Sequence, residues 1–306
     1  LKYLRFASID IGSNAIRLLF SNVFETSQGP VFRKASLIRV PIRLGADSFS
    51  QHMIDPQNIN KLVDCMISFR HLMRAHDVIG YKAYATSAMR DAHNAEHIVE
   101  RVKEESGIDI EIISGEKEAQ EIASRFLIHD LSLDSQILYA DVGGGSTELT
   151  LIRQDKRIDQ HSFDIGTVRL LQNTVEPSEW KRMAQWIKKN GLEHSKINII
   201  GSGGNINRIF KMKRRKVHDM HLSSRGLKEA YEELIDLSYE DRVVKYFLNP
   251  DRADVIIPAC EIFLHIIKHT GTKKIFVPKV GLSDGIVRTL YKEYTAKNAV
   301  KTAVIR

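Results

Sequence analysis

The chain has 306 residues, with 45 Lys and Arg against 38 Asp and Glu, a formal net charge of +7. Hydrophobic residues at 43% and charged residues at 27% exclude a disordered, collagenous or coiled-coil chain, and the length implies about two domains with room for a buried core. No run of about 18 apolar residues suggests a membrane span, Asp10 interrupts the apolar stretch that a signal peptide would need, and two cysteines, Cys65 and Cys260, point to a reduced, cytoplasmic setting.

In chain order, Tyr3 to Phe20 reads as two strands around the turn Asp10-Ile11-Gly12-Ser13-Asn14, and residues 31–44 continue as strand. Asp55 and Pro56 open a long helix whose apolar positions, from Ile59 to Met73, recur at helical spacing. A strand is expected over Tyr81 to Thr86, a helix from Asn94 to Glu105, a strand over Ile108 to Ile113, and a helix from Ser114-Gly115 to about Leu127. A second half starts near Ser132. Ile137 to Ala140 is a strand, Asp141 to Glu148 its turn, and Leu149 begins the returning strand. Helices follow over 166–174 and 177–190, a strand over Ile197 to Ile200, helices over 204–213, 224–236, 239–247 and 251–269, a strand over Lys274 to Val277, and a last helix over 282–294. The strand–Asp–x–Gly–turn–strand unit at Asp10 recurs at Asp141, 141 − 10 = 131 residues later. That repeat predicts duplicated α/β domains with a cleft between them, divided near 128–134.

The paired turns are where chemistry is expected. Glycines let backbone N–H groups approach phosphate oxygens, and hydroxyl donors are added by Ser13 in the first turn and by Ser146 and Thr147 beside Gly143, Gly144 and Gly145 in the second. An acid repels phosphate, so Asp10 and Asp141 suit a divalent metal better. A tight hairpin alone would use the same residue types; the repetition separates the two readings. Gly201-Ser202-Gly203-Gly204-Asn205 joins a strand to a helix whose N-terminus can meet an anion, although it lacks both the P-loop ending and the dinucleotide spacing. Arg90, just after a strand, offers a planar fork suited to phosphate. Glu118 stands in the first turn of its helix, where a carboxylate could take a proton from water; Glu116 and Glu121 share that helix, and composition does not choose among them. Lys211 to Lys216 is the densest basic stretch, either a solvated helix end or a path for a long polyanion. No aromatics are interleaved there, which speaks against nucleic-acid binding by base stacking.

These residues resemble the exopolyphosphatase / guanosine pentaphosphate phosphatase family, within the actin-like, sugar-kinase and heat-shock ATPase superfamily. The resemblance is carried most specifically by Asp141 to Leu149 together with Ala85 to Ala92, and extends to Ile9 to Asn14, Arg43 to Gly45, Ile113 to Ala119, Gly166 to Leu170, Gly201 to Gly204, Arg252 to Asp254 and Gly281 to Gly285. It implies an α/β protein of two ribonuclease-H-like domains, with mixed sheets flanked by helices, an interdomain cleft and a last helix that packs back on the first domain; the sequence pattern sets their bounds at 1–128 and 129–306. It implies hydrolysis of a terminal phosphoanhydride of inorganic polyphosphate or guanosine pentaphosphate with Mg²⁺ or another divalent cation, in a homodimer. Carried over residue by residue, it puts the base at Glu118 and the metal- and water-positioning acids at Asp141 and Glu148. Phosphate contacts fall on Asn14, Arg90, Gly144, Gly145, Ser146 and Thr147, and the first metal-associated acid on Asp10. Ala15, Asn205 and Ser283 depart from the family pattern, and they motivate the alternative of a catalytically weak polyphosphate- or nucleotide-binding regulator. A kinase or ATPase on the same fold is a third reading, disfavoured by the lack of a sugar-kinase acceptor motif. The additional C-terminal domains of the long family members are not expected in a chain of this length.

Overall fold

The computed structural model describes residues 2–123, 136–154, 156–193, 195, 197–213, 221–278 and 281–304. The half-boundary expected near 128–134, the helix end expected near Leu127 and the basic residues 214–216 lie outside the described residues.

The chain runs β1 (Leu4–Ile11), β2 (Ile16–Thr26), β3 (Gly29–Val40), α1 (Leu44–Gln51), α2 (Pro56–Ala75), β4 (Gly80–Ala85), α3 (Ser87–Asp91), α4 (Ala95–Ser106), β5 (Ile110–Ile112) and α5 (Gly115–Ala123). It continues with β6 (Gln136–Val142), β7 (Thr147–Arg153), β8 (Lys156–Phe163), α6 (Thr167–Leu171), α7 (Pro177–Lys189), β9 (Ile197–Ser202), α8 (Gly204–Lys213), β10 (His221–Ser223), α9 (Ser224–Ile235), α10 (Tyr239–Tyr246), α11 (Pro250–Ala253), α12 (Ile256–Thr270), β11 (Lys274–Phe276) and α13 (Leu282–Val304).

Two mixed sheets form, ordered β3-β2-β1-β4-β5 and β10-β11-β9-β6-β7-β8. Each is built the same way. An antiparallel ribbon comes first (β1-β2-β3, then β6-β7-β8), and a strand parallel to its opening member is added on the other side, β4 beside β1 and β9 beside β6. The parallel additions require helical crossovers, which α2 and α7 help to supply. The repeat read from Asp10 and Asp141 is this topology: each acid is the penultimate residue of the strand that opens its sheet.

The chain divides into two compact units, Leu1–Ser114 with Gln120–Arg125 and Leu282–Arg306, and Gly115–Ala119 with Phe126–Gly281. In the first, α13 packs on β1: Tyr291 and Tyr294 meet Phe6 edge-on, and Ser8 Oγ donates to the Ser283 carbonyl. In the second, Leu138, Ala140 and Val142 of β6 and Leu149 and Leu151 of β7 project from one sheet face into a core with Met183, Ile187, Ile206, Phe210, Leu227 and Phe263. Period-two alternation leaves Asp141 and Glu148 on the opposite face.

Local chemistry accounts for the element ends. Pro56 stands at the first position of α2, with Asp55 in extended conformation before it, and Gly107 closes α4 in the left-handed region at φ 68°. The single helix expected over 251–269 is broken into α11 and α12. Pro258 has no N–H for the carbonyl four residues back and its ring clashes there, so the helix restarts at Ile256 with Pro258 in its first turn. The short helices α1 and α3 were not expected from the sequence. Among the described residues no helix is long and apolar enough to cross a membrane.

Candidate active site

In the first unit, the end of β1 gathers four of the expected residues. Asp10 lies opposite Arg17 across the β1–β2 pair, and its Oδ2 accepts from Arg17 Nη1 at 2.7 Å. The turn closes through Gly12 N–H donating to the Ala15 carbonyl. Ser13 is buried; its hydroxyl shares a 2.8 Å hydrogen bond with that of Ser87, and its carbonyl accepts from Gly45 N–H. Asn14 Oδ1 accepts from Arg43 Nε at 3.2 Å. Thr86 ties the start of α3 to the Ile11 carbonyl, and Arg90, in the last turn of α3, donates from Nη1 to the Ile113 carbonyl at 2.8 Å. Ser13, Asn14 and the helix of Arg90 are thus fixed around one strand end.

In the second unit, strand register does the positioning. Asp141 of β6 is directly opposite Glu148 of β7, Glu148 is opposite Ser162 of β8, and Asp141 is opposite Ser202 of β9. Four polar residues therefore stand in one row across four strands on one sheet face. Glu148 is only 1% exposed, and its Oε1 accepts from Ser146 Oγ at 2.6 Å and Ser162 Oγ at 2.9 Å. Two hydroxyls holding one oxygen fix the carboxylate plane. Gly203, at φ 114°, passes so close that a Cβ would stand 2.6 Å from the Val142 carbonyl oxygen and 3.7 Å from Asp141 Oδ1. Only glycine permits both that conformation and that approach. Gly204 follows as the first residue of α8, and Asn205 turns its Nδ2 to the Val255 carbonyl at 3.4 Å.

The glycine loop is held from one side. The Gly143 carbonyl accepts from Thr167 N–H at 3.0 Å, the Gly144 carbonyl from Val168 N–H at 2.7 Å, and the Gly145 carbonyl from Arg169 Nε at 2.7 Å. In a trans peptide the C=O and the following N–H point in opposite directions. The amides of Gly144, Gly145 and Ser146 therefore point away from α6, as a concavity of donors suited to an anion. Thr147, by contrast, is fully buried with its hydroxyl donating to the Ile165 carbonyl at 2.6 Å, so that oxygen anchors the loop.

The three acids that composition could not separate differ in their surroundings. Glu116 is exposed. Glu121 is buried and its Oε2 accepts from Thr289 Oγ1 at 2.7 Å. Glu118 is half-buried, in the Gly115–Ala119 segment that groups with the second unit. That segment lies over the Glu148–Ser162 row: a Cβ on Gly115 would be 2.7 Å from Ser162 Oγ and 3.7 Å from Glu148 Oε1.

Among the described residues no group of three or more His, Cys, Asp or Glu forms a ready metal cage. A Mg²⁺ ion asks for less, one or two carboxylates completed by water and phosphate oxygens, and the facing Asp141 and Glu148 have the hard oxygen donors it takes. Asp10 has one oxygen engaged by Arg17. The described part of the basic run ends in Lys213, which is paired with Glu233. Ser162 and Arg17 were missed in the sequence: strand register brings each in, and no local spacing marks it. Ser87 and Arg169 lie inside the runs Ala85 to Ala92 and Gly166 to Leu170 that carry the resemblance, but the sequence assigned neither a role.

Comparison with known proteins adds identity to this geometry. The family model described as "Ppx/GppA phosphatase family" matches residues 25–293. A bifunctional 3-dehydroquinate synthase/phosphatase of Fusobacterium nucleatum is 30% identical over 297 residues, 89% of this chain and 44% of that protein, so the chain spans less than half of that relative. Exopolyphosphatase 2 of Mycobacterium tuberculosis is 25% identical, covering 94% of this chain and 98% of that one. The crystal structure of the Aquifex aeolicus Ppx/GppA family member superposes with a TM-score of 0.74 at 25% identity, over 95% of this chain and 99% of that one. An exopolyphosphatase from Cytophaga hutchinsonii shares the fold, with a TM-score of 0.79 at 22% identity, over 94% and 98% of the two chains.

Proposed function

The chain belongs to the Ppx/GppA phosphatase family, and from that premise we propose that it hydrolyses a terminal phosphoanhydride, releasing orthophosphate from the end of inorganic polyphosphate, with guanosine pentaphosphate as the second substrate to test. The observation that carries the reading is the facing pair Asp141 and Glu148 beside a glycine loop whose carbonyls are all turned to α6.

In this reading the amides of Gly144, Gly145 and Ser146 grip the terminal phosphate. Phosphoryl transfer has a loose, charge-rich transition state, so positioned donors do most of the work. Glu118 orients the attacking water and takes its proton. Asp141 and Glu148 hold a divalent cation, which when bound supplies charge neutralisation for the phosphoryl oxygens and the leaving phosphate. Ser146 and Ser162 keep the Glu148 carboxylate aimed. On the family likeness we assign further phosphate contacts to Asn14 and Arg90 and a further metal-associated role to Asp10, and on their place in the glycine-rich turns we add Ser13, Gly143, Gly203 and Gly204; Thr147, which the likeness also names, serves the loop as an anchor through its bond to Ile165. No covalent intermediate is needed.

The test is phosphate release with Mg²⁺ from polyphosphates of several lengths and from guanosine pentaphosphate, assayed side by side. Release from polyphosphate at ordinary enzyme rates, about 1 s⁻¹ or faster, is expected. Tight, salt-sensitive binding without turnover would reject it in favour of a binding protein.

A further inference from the structure

Of the three peptides in the glycine loop, two are oriented by backbone and one by a side chain. Thr167 and Val168 N–H hold the Gly143 and Gly144 carbonyls, whereas the Gly145 carbonyl is held by Arg169 Nε. Arg169 is 8% exposed, and a buried arginine requires partners. Its main chain is fixed, since its carbonyl accepts from both Thr174 N–H at 3.0 Å and Thr174 Oγ1 at 3.3 Å. Its Nη2 lies 3.7 Å from Asp164 Oδ1. The guanidinium is therefore presented to the loop from a rigid base.

We propose that Arg169 is a positioning residue that aims the Gly145–Ser146 peptide at the bound phosphate. The inference rests on the reading of this loop as a phosphate site. Two effects follow from one hydrogen bond. The Nε–H fixes the peptide plane, so Ser146 N–H points away from α6 with its two neighbours. The cation also polarises that peptide, which makes Ser146 N–H a stronger donor. Ser146 is the residue whose hydroxyl is committed to Glu148, so its amide is the group left to serve the anion. A lysine keeps the charge but cannot reproduce the planar, in-line N–H of the guanidinium.

The experiment titrates inorganic orthophosphate into the full chain by calorimetry, for wild type, Arg169→Gln and Arg169→Lys. Arg169→Gln is expected to weaken orthophosphate binding roughly tenfold or more, with Arg169→Lys in between. KM for polyphosphate rises in step while kcat changes less, a split that loss of packing alone does not produce. In wild type, the NMR signals of Ser146 N–H and Arg169 Nε–H are expected to move with phosphate along a single binding curve. Wild-type phosphate affinity in Arg169→Gln, or in Arg169→Lys should the first variant not fold, overturns the proposal. So does an Arg169 Nε–H that ignores phosphate, or a wild type that binds none. Wild-type protein that binds orthophosphate but releases none from polyphosphate rejects the proposed function alone. Intact hydrolysis with unchanged phosphate affinity in Arg169→Gln rejects this inference alone.

Discussion

Gly285 of α13 lies flat against the backbone of Glu121 in α5, so close that a Cβ on Gly285 would come within 2.5 Å of the Glu121 carbonyl carbon. Thr289, one turn further along α13, donates to Glu121 Oε2 at 2.7 Å. The glycine and the threonine together clasp the helix on which Glu118 stands three residues earlier. Replacing Gly285 by Ala forces α5 to shift. Gly285→Ala is expected to cost about 1–3 kcal/mol of stability by overpacking and to lower kcat by at least about tenfold through misplacement of Glu118. Denaturant unfolding and phosphate release measure the two. An alanine variant with wild-type turnover would show that α5 can move without consequence.

Glu118 and Glu121 should separate by experiment. Glu118→Gln removes the proton acceptor and leaves the isosteric amide, so kcat is expected to fall by about 10²–10⁴ with orthophosphate binding retained. Glu121→Gln weakens the bond to Thr289, costs about 1 kcal/mol of stability and retains most activity. Steady-state kinetics beside a thermal melt checks both; the reverse pattern would move the base assignment to Glu121.

Asp141 and Glu148 are expected to set the requirement for the divalent cation. Asp141→Asn keeps the shape of the row and removes one charge. The Mg²⁺ concentration for half-maximal activity is expected to rise roughly tenfold or more. A Mg²⁺ titration identical to wild type would place the cation elsewhere.

His265 predicts how stability depends on pH. Burial, and then the neighbouring His269, push its pKa down to about 4 from 6.5, and Lys268 adds in the same direction while a hydrogen bond to the Trp180 backbone opposes them. The unfolded chain thus binds a proton between pH 6.5 and 4 that the folded chain does not. Stability from the neutral imidazole is complete above pH 6.5 and is lost as the pH falls through 4. The group is only partly enclosed, so the loss is on the order of 1–2 kcal/mol after solvent screening. Urea midpoints from pH 7.5 to 4 measure it. His265→Leu should flatten the profile, and an unchanged slope in that variant would assign the acid sensitivity to other groups.

The thiols should be inert. Burial pushes both Cys65 and Cys260 up to about 12. At pH 8 native protein is expected to react with a disulfide reagent far more slowly than unfolded protein, because the thiolate is the reactive form. Rapid labelling of either cysteine in native protein would contradict its placement in the core.

What could be read in advance was what neighbouring residues encode. The two hairpins, the glycine loop, the Pro56 and Gly107 helix signals and the acids at the strand ends are local patterns, with turn and cap geometry set within a few positions. The 131-residue repeat predicted duplicated α/β segments, and the structure adds that their two sheets share a topology. The break before α12 was also written locally, in Pro258. Helix periodicity over 251–269 concealed it, since a proline near a helix start preserves the apolar spacing.

The tertiary structure decided which of these residues work together. Ser162 reaches Glu148 because two strand registers place it opposite, and Arg169 reaches Gly145 across 24 residues of chain. Thr289 and Gly285 distinguish Glu121 from Glu118 although 168 residues separate Thr289 from Glu121. A turn is specified by the conformational limits of adjacent residues, and so the sequence by itself determined the hairpins, the loops and the acids they carry. Cross-strand rows and helix clasps are specified by how buried faces pack at long range, and no spacing along the chain expresses that. The partners that aim each acid and each loop amide were decided only when the sheets closed.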